Sequence, residues 1–375
     1  MNAIAHPIRQ AYRQQTPPKA VANPQRKKVR ILSIDGGGMR GIIPATVIWH
    51  LEQRLQEKTG NPDARISDYF DLLAGTSTGG ILVCTYLIPD SERPGRPKFD
   101  ARQSLAMYLD NRGCGIFARS WFRKLTSLMG LIDEKYCSGN LEKALKKCLG
   151  GQVRLSSFLK PCLITAYDIK NRRAKFFTSV DAQSDSNQDY KAWEAARATA
   201  AAPSYFQPAC LPTGNNPEEV LVDGGVFANN PALCAFTEAQ KTCFAQRSGD
   251  NSRPDHPGQQ DMIIVSLGTG DAKKGYALDE VKSQGMVKWA KPIIDILMGA
   301  STDTADYQLQ QLFDTKEKEN GGRYYRLNPQ LKGVDNAMDN IRPAHLKSLH
   351  QLALQYIRDN EEMLEEIVDQ LMENS

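Results

Sequence analysis

Apolar residues in this chain gather into short runs separated by glycine-rich turns, and the spacing inside each run predicts its secondary structure. "VRILSI" (29–34) reads as a strand that stops at Gly36, Gly37 and Gly38. Beyond the glycines, Ile43, Val47, Leu51 and Leu55 recur every fourth residue, which marks one face of a helix, and Gly60 caps its end. "YFDLLAG" predicts a second strand and "GGILVCTYLI" the helix after it. "KPCLITAYDI" and "AKFFTSV" predict two more strands, the first of them central. "DMIIVSLGTG" is continuously apolar, as in a strand buried on both faces. Strands alternating with helices imply an α/β fold whose mostly parallel sheet is covered on two sides. No internal repeat interrupts this order. From residue 345 onward, Leu349, Leu352, Tyr356, Leu364, Ile367 and Leu371 line one side of helical sequence. Glu361, Glu362, Glu365, Glu366 and Asp369 line the other, so this segment packs on the domain with a solvated outer face.

Composition adds limits to that picture. With 375 residues and 41% hydrophobic content the chain has ample material for a core. No apolar run approaches the roughly 18–20 residues of a membrane span. The N-terminus lacks the apolar stretch of a secretory signal. Together these predict a cytoplasmic protein that meets membranes peripherally. The eight cysteines are scattered, with no C-x-x-C pair, and read as free thiols. The net charge of +4 hides an asymmetry, because residues 1–30 carry seven Lys or Arg and no acid. Residues 1–28 therefore read as a flexible basic tail, and residues 245–260 as a polar loop.

Three glycine-rich points carry the candidate chemistry. Gly36, Gly38 and Gly41 spell G-x-G-x-x-G after a strand, the fingerprint of a dinucleotide site. The same glycines could instead offer backbone N–H groups to an oxyanion. Gly75-Thr76-Ser77-Thr78-Gly79 matches G-x-S-x-G between a strand and a helix, where small neighbours lift a nucleophilic serine out of the chain. A dinucleotide site needs an acidic residue at the end of the second strand, and that position is taken by this serine turn. Glu57 and Asp63 fall elsewhere, so the oxyanion reading gains. None of the five histidines (His6, His50, His256, His345, His350) sits in a strand-end or glycine-turn setting suited to a triad. Asp223 does, at the end of "VLV" and before Gly224 and Gly225. As a base it would need burial to raise its pKa, or a strong oxyanion site, to act on a hydroxyl.

Taken together, D-G-G-G-x-R-G (Asp35 to Gly41), G-T-S-T-G (Gly75 to Gly79) and D-G-G (Asp223 to Gly225) resemble the patatin-like phospholipase family. The similarity extends over about residues 29–275 and more loosely through "YYRLNP" and "MDN". The resemblance implies a three-layer α/β/α sandwich like the catalytic domain of cytosolic phospholipases, occupying residues 29–375 as one domain. It implies a Ser77–Asp223 dyad without histidine, with Gly36, Gly37, Gly38 and Arg40 framing the oxyanion hole. The reaction would be hydrolysis of phospholipid acyl esters through an acyl-serine, with no metal or cofactor. Some bacterial members are activated by cyclic dinucleotides and degrade the cell's own membrane in antiphage defence, which is one alternative. A non-catalytic lipid-binding or storage protein on the same fold is another. No nucleic acid polymer is expected as a partner.

Access to lipid is assigned to residues 100–135, as a lid or membrane contact, and residues 281–375 to a C-terminal helical part. Phe117, Trp121, Phe122 and Arg123 lie in a basic, aromatic stretch suited to an interface with anionic phospholipid. W121A/F122A/R123A is accordingly expected to lose co-sedimentation with anionic liposomes that the wild type retains.

Overall fold

The computed structural model describes residues 27–109, 138–203, 205–213, 216–271, 286–314 and 322–375, with Gly275, Leu278 and Lys282 besides. Eight strands form one sheet: β1 (Val29–Ile34), β2 (Leu72–Thr76), β3 (Cys162–Asp168), β4 (Arg173–Thr178), β5 (Ala209–Thr213), β6 (Asn216–Asp223), β7 (Met262–Leu267) and β8 (Arg323–Leu327). The block β8-β7-β1-β2-β3 is parallel throughout, as the buried apolar runs predict. β4, β5 and β6 join it in antiparallel fashion, which the alternation of strands and helices does not foretell.

The helices of eight residues or more are α1 (Ile42–Thr59), α2 (Thr78–Leu87), α3 (Ala101–Leu109), α4 (Ser138–Leu149), α5 (Ala192–Thr199), α6 (Ala232–Lys241), α7 (Met286–Phe313), α8 (Pro343–Asp359) and α9 (Glu361–Glu373). Alternate strand residues serve two cores, as the pleat requires. Leu32, Ile34, Ile263 and Val265 pack with α1, α2, α5, α8 and α9 on one face. Val29, Ile31, Met262 and Ile264 pack with α6 and the far end of α7 on the other. The architecture is therefore a three-layer α/β/α sandwich.

β3 is central in an unusual way. Its residues Leu163 to Asp168 pair with β4 along one edge. On the other edge Cys162–Thr165 pair with β2, and Ala166–Asp168 pair with β6 running in the opposite direction. β2 and β6 thus meet head-on, Thr76 opposite Thr165 and Asp223 opposite Ala166.

Several boundaries differ from the sequence expectations for local reasons. Tyr69 ends a helical turn, Ile66–Tyr69, closed when Arg65 N–H donates to Asp68 Oδ2 at 2.8 Å, so the second strand starts only at Leu72. Thr178 ends β4 because its Oγ1 accepts the Asp181 N–H at 3.0 Å and caps a short helix. The acidic C-terminal segment breaks into α8 and α9 at Asn360, and the part read as helical also contains β8. Of the lid segment, α3 is described, whereas residues 110–135 lie outside the described residues. The six cysteines among the described residues are free, three of them buried and Cys210 exposed.

The segment expected as a loop at 245–260 opens on a short helix, Phe244–Ser248, and ends in a 3-10 turn, Gln259–Asp261, and it does more than connect. Its Arg253 is buried and places Nη1 2.9 Å from Asp71 Oδ2, while Arg30 grips the same carboxylate through Nε at 3.1 Å and Nη2 at 3.0 Å. The two guanidiniums also donate to the carbonyls of Lys28, Leu371 and Asn374, tying β1 and the turn before β2 to the end of α9. Removing the carboxylate leaves two buried cations uncompensated. Asp71→Asn is expected to cost about 3–5 kcal/mol, read from the urea midpoint. Asp90→Asn, at an exposed pair with Arg93, should leave that midpoint unchanged.

Candidate active site

The head-on meeting of β2 and β6 forces both strands to leave the sheet. β2 does so at Ser77, whose φ of 54° and ψ of −120° form a sharp elbow outside the regions a side chain prefers. The elbow closes because its neighbours are small. A Cβ on Gly75 would lie 2.4 Å from the Gly79 carbonyl, and one on Gly79 would lie 2.2 Å from the Ile34 carbonyl oxygen. The surroundings then lock it. Ser77 N–H donates to Thr199 Oγ1 at 2.8 Å, Thr76 Oγ1 sits 2.7 Å from Thr165 Oγ1 and donates to the Ala228 carbonyl at 2.7 Å. Thr78 bonds the buried Tyr108 hydroxyl of α3. Ser77 precedes α2, so the positive end of that helix faces the serine oxygen.

β6 leaves the sheet at Asp223, and Gly224 is confined there, since a Cβ on it would lie 2.0 Å from Thr165 Oγ1. The Ser77 side chain lies beside the Asp223 carboxylate in one cleft and helps to stabilise its charged form. Asp223 Oδ1 also accepts the Gly225 N–H at 2.7 Å. Burial pushes the Asp223 carboxyl from its usual 3.8 up to about 7, with the nearby Ser77 side chain and the Gly225 N–H pulling the other way. Among the described residues no cation contributes to that balance. A carboxylate of this strength is suited to take a proton from a hydroxyl near neutral pH.

The glycine loop after β1 forms the third side. Gly36 frames it without offering a donor, because its N–H is committed to the Asn229 carbonyl at 3.1 Å. Gly37 and Gly38 line the same cleft as Ser77 and Asp223. Arg40 turns its backbone N–H and Nε onto the Gly37 carbonyl, at 3.2 and 3.4 Å, so it braces the loop. The peptide is trans and planar, so holding that carbonyl directs the Gly38 N–H the opposite way. Asp35, at the head of the loop, is clamped by Arg326 of β8 through Nη1 at 3.0 Å and Nη2 at 2.6 Å. Arg326 escapes sequence reasoning: "YYRLNP" is recognisable, but nothing local says which carboxylate it meets.

The cleft encloses about 70 Å³ and opens to solvent, and its walls are apolar, with Ile81, Leu141, Phe206, Val226, Met298 and Met338 among them. None of the described histidines lines it. His50 belongs to α1, His345 and His350 to α8, and His256 to the polar loop. Phe117, Trp121, Phe122 and Arg123 lie outside the described residues. Among the described residues no helix is long and apolar enough to cross a membrane. A serine oxygen, a buried carboxylate beside it, two backbone N–H groups and an apolar cleft can together perform acyl transfer.

Comparison with known proteins points the same way. The family model for patatin-like phospholipase matches residues 32–236. Patatin-like protein 1 of Arabidopsis thaliana is 34% identical over 342 residues, covering 86% of this chain and 80% of that protein. Patatin-like protein 1 of Oryza sativa subsp. indica is 34% identical over 315 residues, covering 80% and 74%. A Solanum tuberosum protein named probable inactive patatin-3-Kuras 1 is 33% identical over 332 residues, covering 86% and 85%.

The elbow geometry can be checked directly. Gly79→Ala should displace Ser77 and abolish its labelling by a fluorophosphonate probe. Gly151→Ala, where a Cβ meets nothing within 4 Å, should label as the wild type does.

Proposed function

The chain belongs to the patatin-like phospholipase family, and from that premise we propose that it hydrolyses fatty acyl esters of membrane glycerophospholipids through Ser77 and Asp223. The family supports lipid acyl hydrolysis in general. The observation that carries the finer reading is Ser77, on its strained elbow, lining one apolar cleft with a buried Asp223.

Ser77 Oγ attacks the ester carbonyl carbon while its proton passes to the Asp223 carboxylate. The N–H groups of Gly37 and Gly38 take the negative charge that gathers on the carbonyl oxygen, a contribution typically worth ~100–1000-fold per donor. The tetrahedral intermediate collapses, the C–O bond to the glycerol breaks, and the lysophospholipid oxygen leaves with the proton from Asp223. Water then attacks the acyl-serine with Asp223 again as base, and the fatty acid departs as Ser77 regains its proton. The acyl chain occupies the apolar walls, and the protein works from the membrane surface without spanning it.

The pH dependence follows from Asp223. Only its ionised form accepts a proton, and its carboxyl lies at about 7, so kcat/KM should rise with pH through about 7 and then level off. The decisive experiment is lipid mass spectrometry of phosphatidylcholine–phosphatidylglycerol vesicles treated with wild type, Ser77→Ala and Asp223→Asn. Wild type should release fatty acid and lysophospholipid, and both variants should lose at least ~1000-fold of that rate. Turnover that persists in Ser77→Ala would remove Ser77 from the reaction, and its absence from wild type would favour a lipid-binding protein. One relative already carries a name marking it as inactive.

A further inference from the structure

The donors of the glycine loop can serve an oxyanion only if their peptide planes are turned correctly, and the loop does not supply that orientation alone. Glycine peptides rotate with little penalty. The Gly36–Gly37 peptide is held from outside, by a residue beyond the segment that the family model covers. Thr269 Oγ1 donates to the Gly36 carbonyl at 2.7 Å. In a planar trans peptide the carbonyl and the following N–H point in opposite directions. Fixing the Gly36 oxygen toward Thr269 therefore sends the Gly37 N–H away from it.

The sheet register explains why Thr269 is level with this peptide. β7 lies parallel to β1 with Leu267 opposite Ile34, and the Asp35 N–H continues the ladder onto the Leu267 carbonyl at 3.0 Å. Two residues further along each chain stand Gly36 and Thr269. The fit is tight: a Cβ on Gly37 would lie 2.2 Å from Thr269 Oγ1, so this glycine makes room for the hydroxyl. Thr269 is itself held, because its turn is pinned when the Gly270 N–H donates to Asn328 Oδ1 at 2.9 Å. Its side chain is buried, at 4% exposure, so water does not readily replace the hydroxyl. Without it the Gly36 carbonyl loses this donor in a buried place, and the peptide can relieve that loss by rotating. A rotated peptide turns its carbonyl toward the cleft, where it repels the oxyanion.

We propose that Thr269 is a positioning residue for the acyl-transfer reaction, its hydroxyl locking the Gly36–Gly37 peptide so that the Gly37 N–H is presented to the oxyanion. This rests on the reading of Ser77 and Asp223 as an ester-hydrolysing pair. It assigns to the turn after β7 a role in the chemical step that the three glycine motifs do not contain.

The test uses the full chain and a soluble ester, p-nitrophenyl butyrate, so that membrane binding does not enter. Thr269→Val keeps the shape and removes the hydroxyl. It should lower kcat by ~100-fold, the loss typical of one oxyanion donor, with KM within twofold of wild type. The rate of Ser77 inactivation by a p-nitrophenyl alkylphosphonate should fall in step, and Thr269→Ser should restore both to within a few fold. Should Thr269→Val fail to fold, Thr269→Ala against Thr269→Ser decides, since both lack the methyl and differ only in the hydroxyl. Wild-type kcat in Thr269→Val, or equal losses in the Ser and Ala variants, overturns the proposal while leaving the dyad reading intact. A wild type that neither turns over the ester nor reacts with the phosphonate overturns both.

Discussion

One edge of β3 is shared by two strands running toward each other, and the candidate site exists because they cannot both continue. Thr76 and Asp223 occupy consecutive places, opposite Thr165 and Ala166, so each chain must turn out of the sheet where it meets the other. Those exits are the Ser77 elbow and the Gly224–Gly225 turn. The closeness of the serine and the aspartate is thus a product of register, requiring no attraction between the two side chains to create it. The register is itself protected, since sliding β6 by one residue would send Asp223 to the opposite face of the sheet.

Two buried aspartates at neighbouring strand ends receive opposite treatment. Asp35 is met by a guanidinium in a two-point ion pair and serves as an anchor for the glycine loop. Asp223 accepts one backbone N–H and has only Ser77 beside it, too little to offset the loss of water around a charge. Its carboxyl therefore holds a proton more tightly than an ordinary one, so the proton is taken up and given back near neutrality. Moving a cation to Asp223 would make it a better anchor and a worse base.

How much of this was legible in the sequence depended on how local each requirement is. Ser77 and its glycines, Asp223 before its glycine pair, and the buried runs of β1 and β7 are imposed by neighbours within a few positions, so their letters carry the message. The antiparallel strands β5 and β6 and the edge strand β8 do not announce themselves in that way. Arg326 and Thr269 meet the loop across sequence separations of 291 and 233 residues, and no spacing rule reaches that far. The commitment of the Gly36 N–H to Asn229 is equally silent, because three adjacent glycines look alike until the backbone is traced. Arg253 was hidden differently: a polar, proline-containing loop gives no hint that one of its charges reaches the core.

The bond between Asp35 and Arg326 also has a bearing on how the protein is made. A ribosome delivers the glycine loop early and Arg326 only 291 residues later. Until then Asp35 has no clamp, β8 is missing from the sheet edge, and every glycine motif has already emerged. Domains assemble as units during synthesis. The loop geometry is accordingly completed only once Arg326 has emerged, and a chain that stops short of it carries all three motifs without the clamp on Asp35.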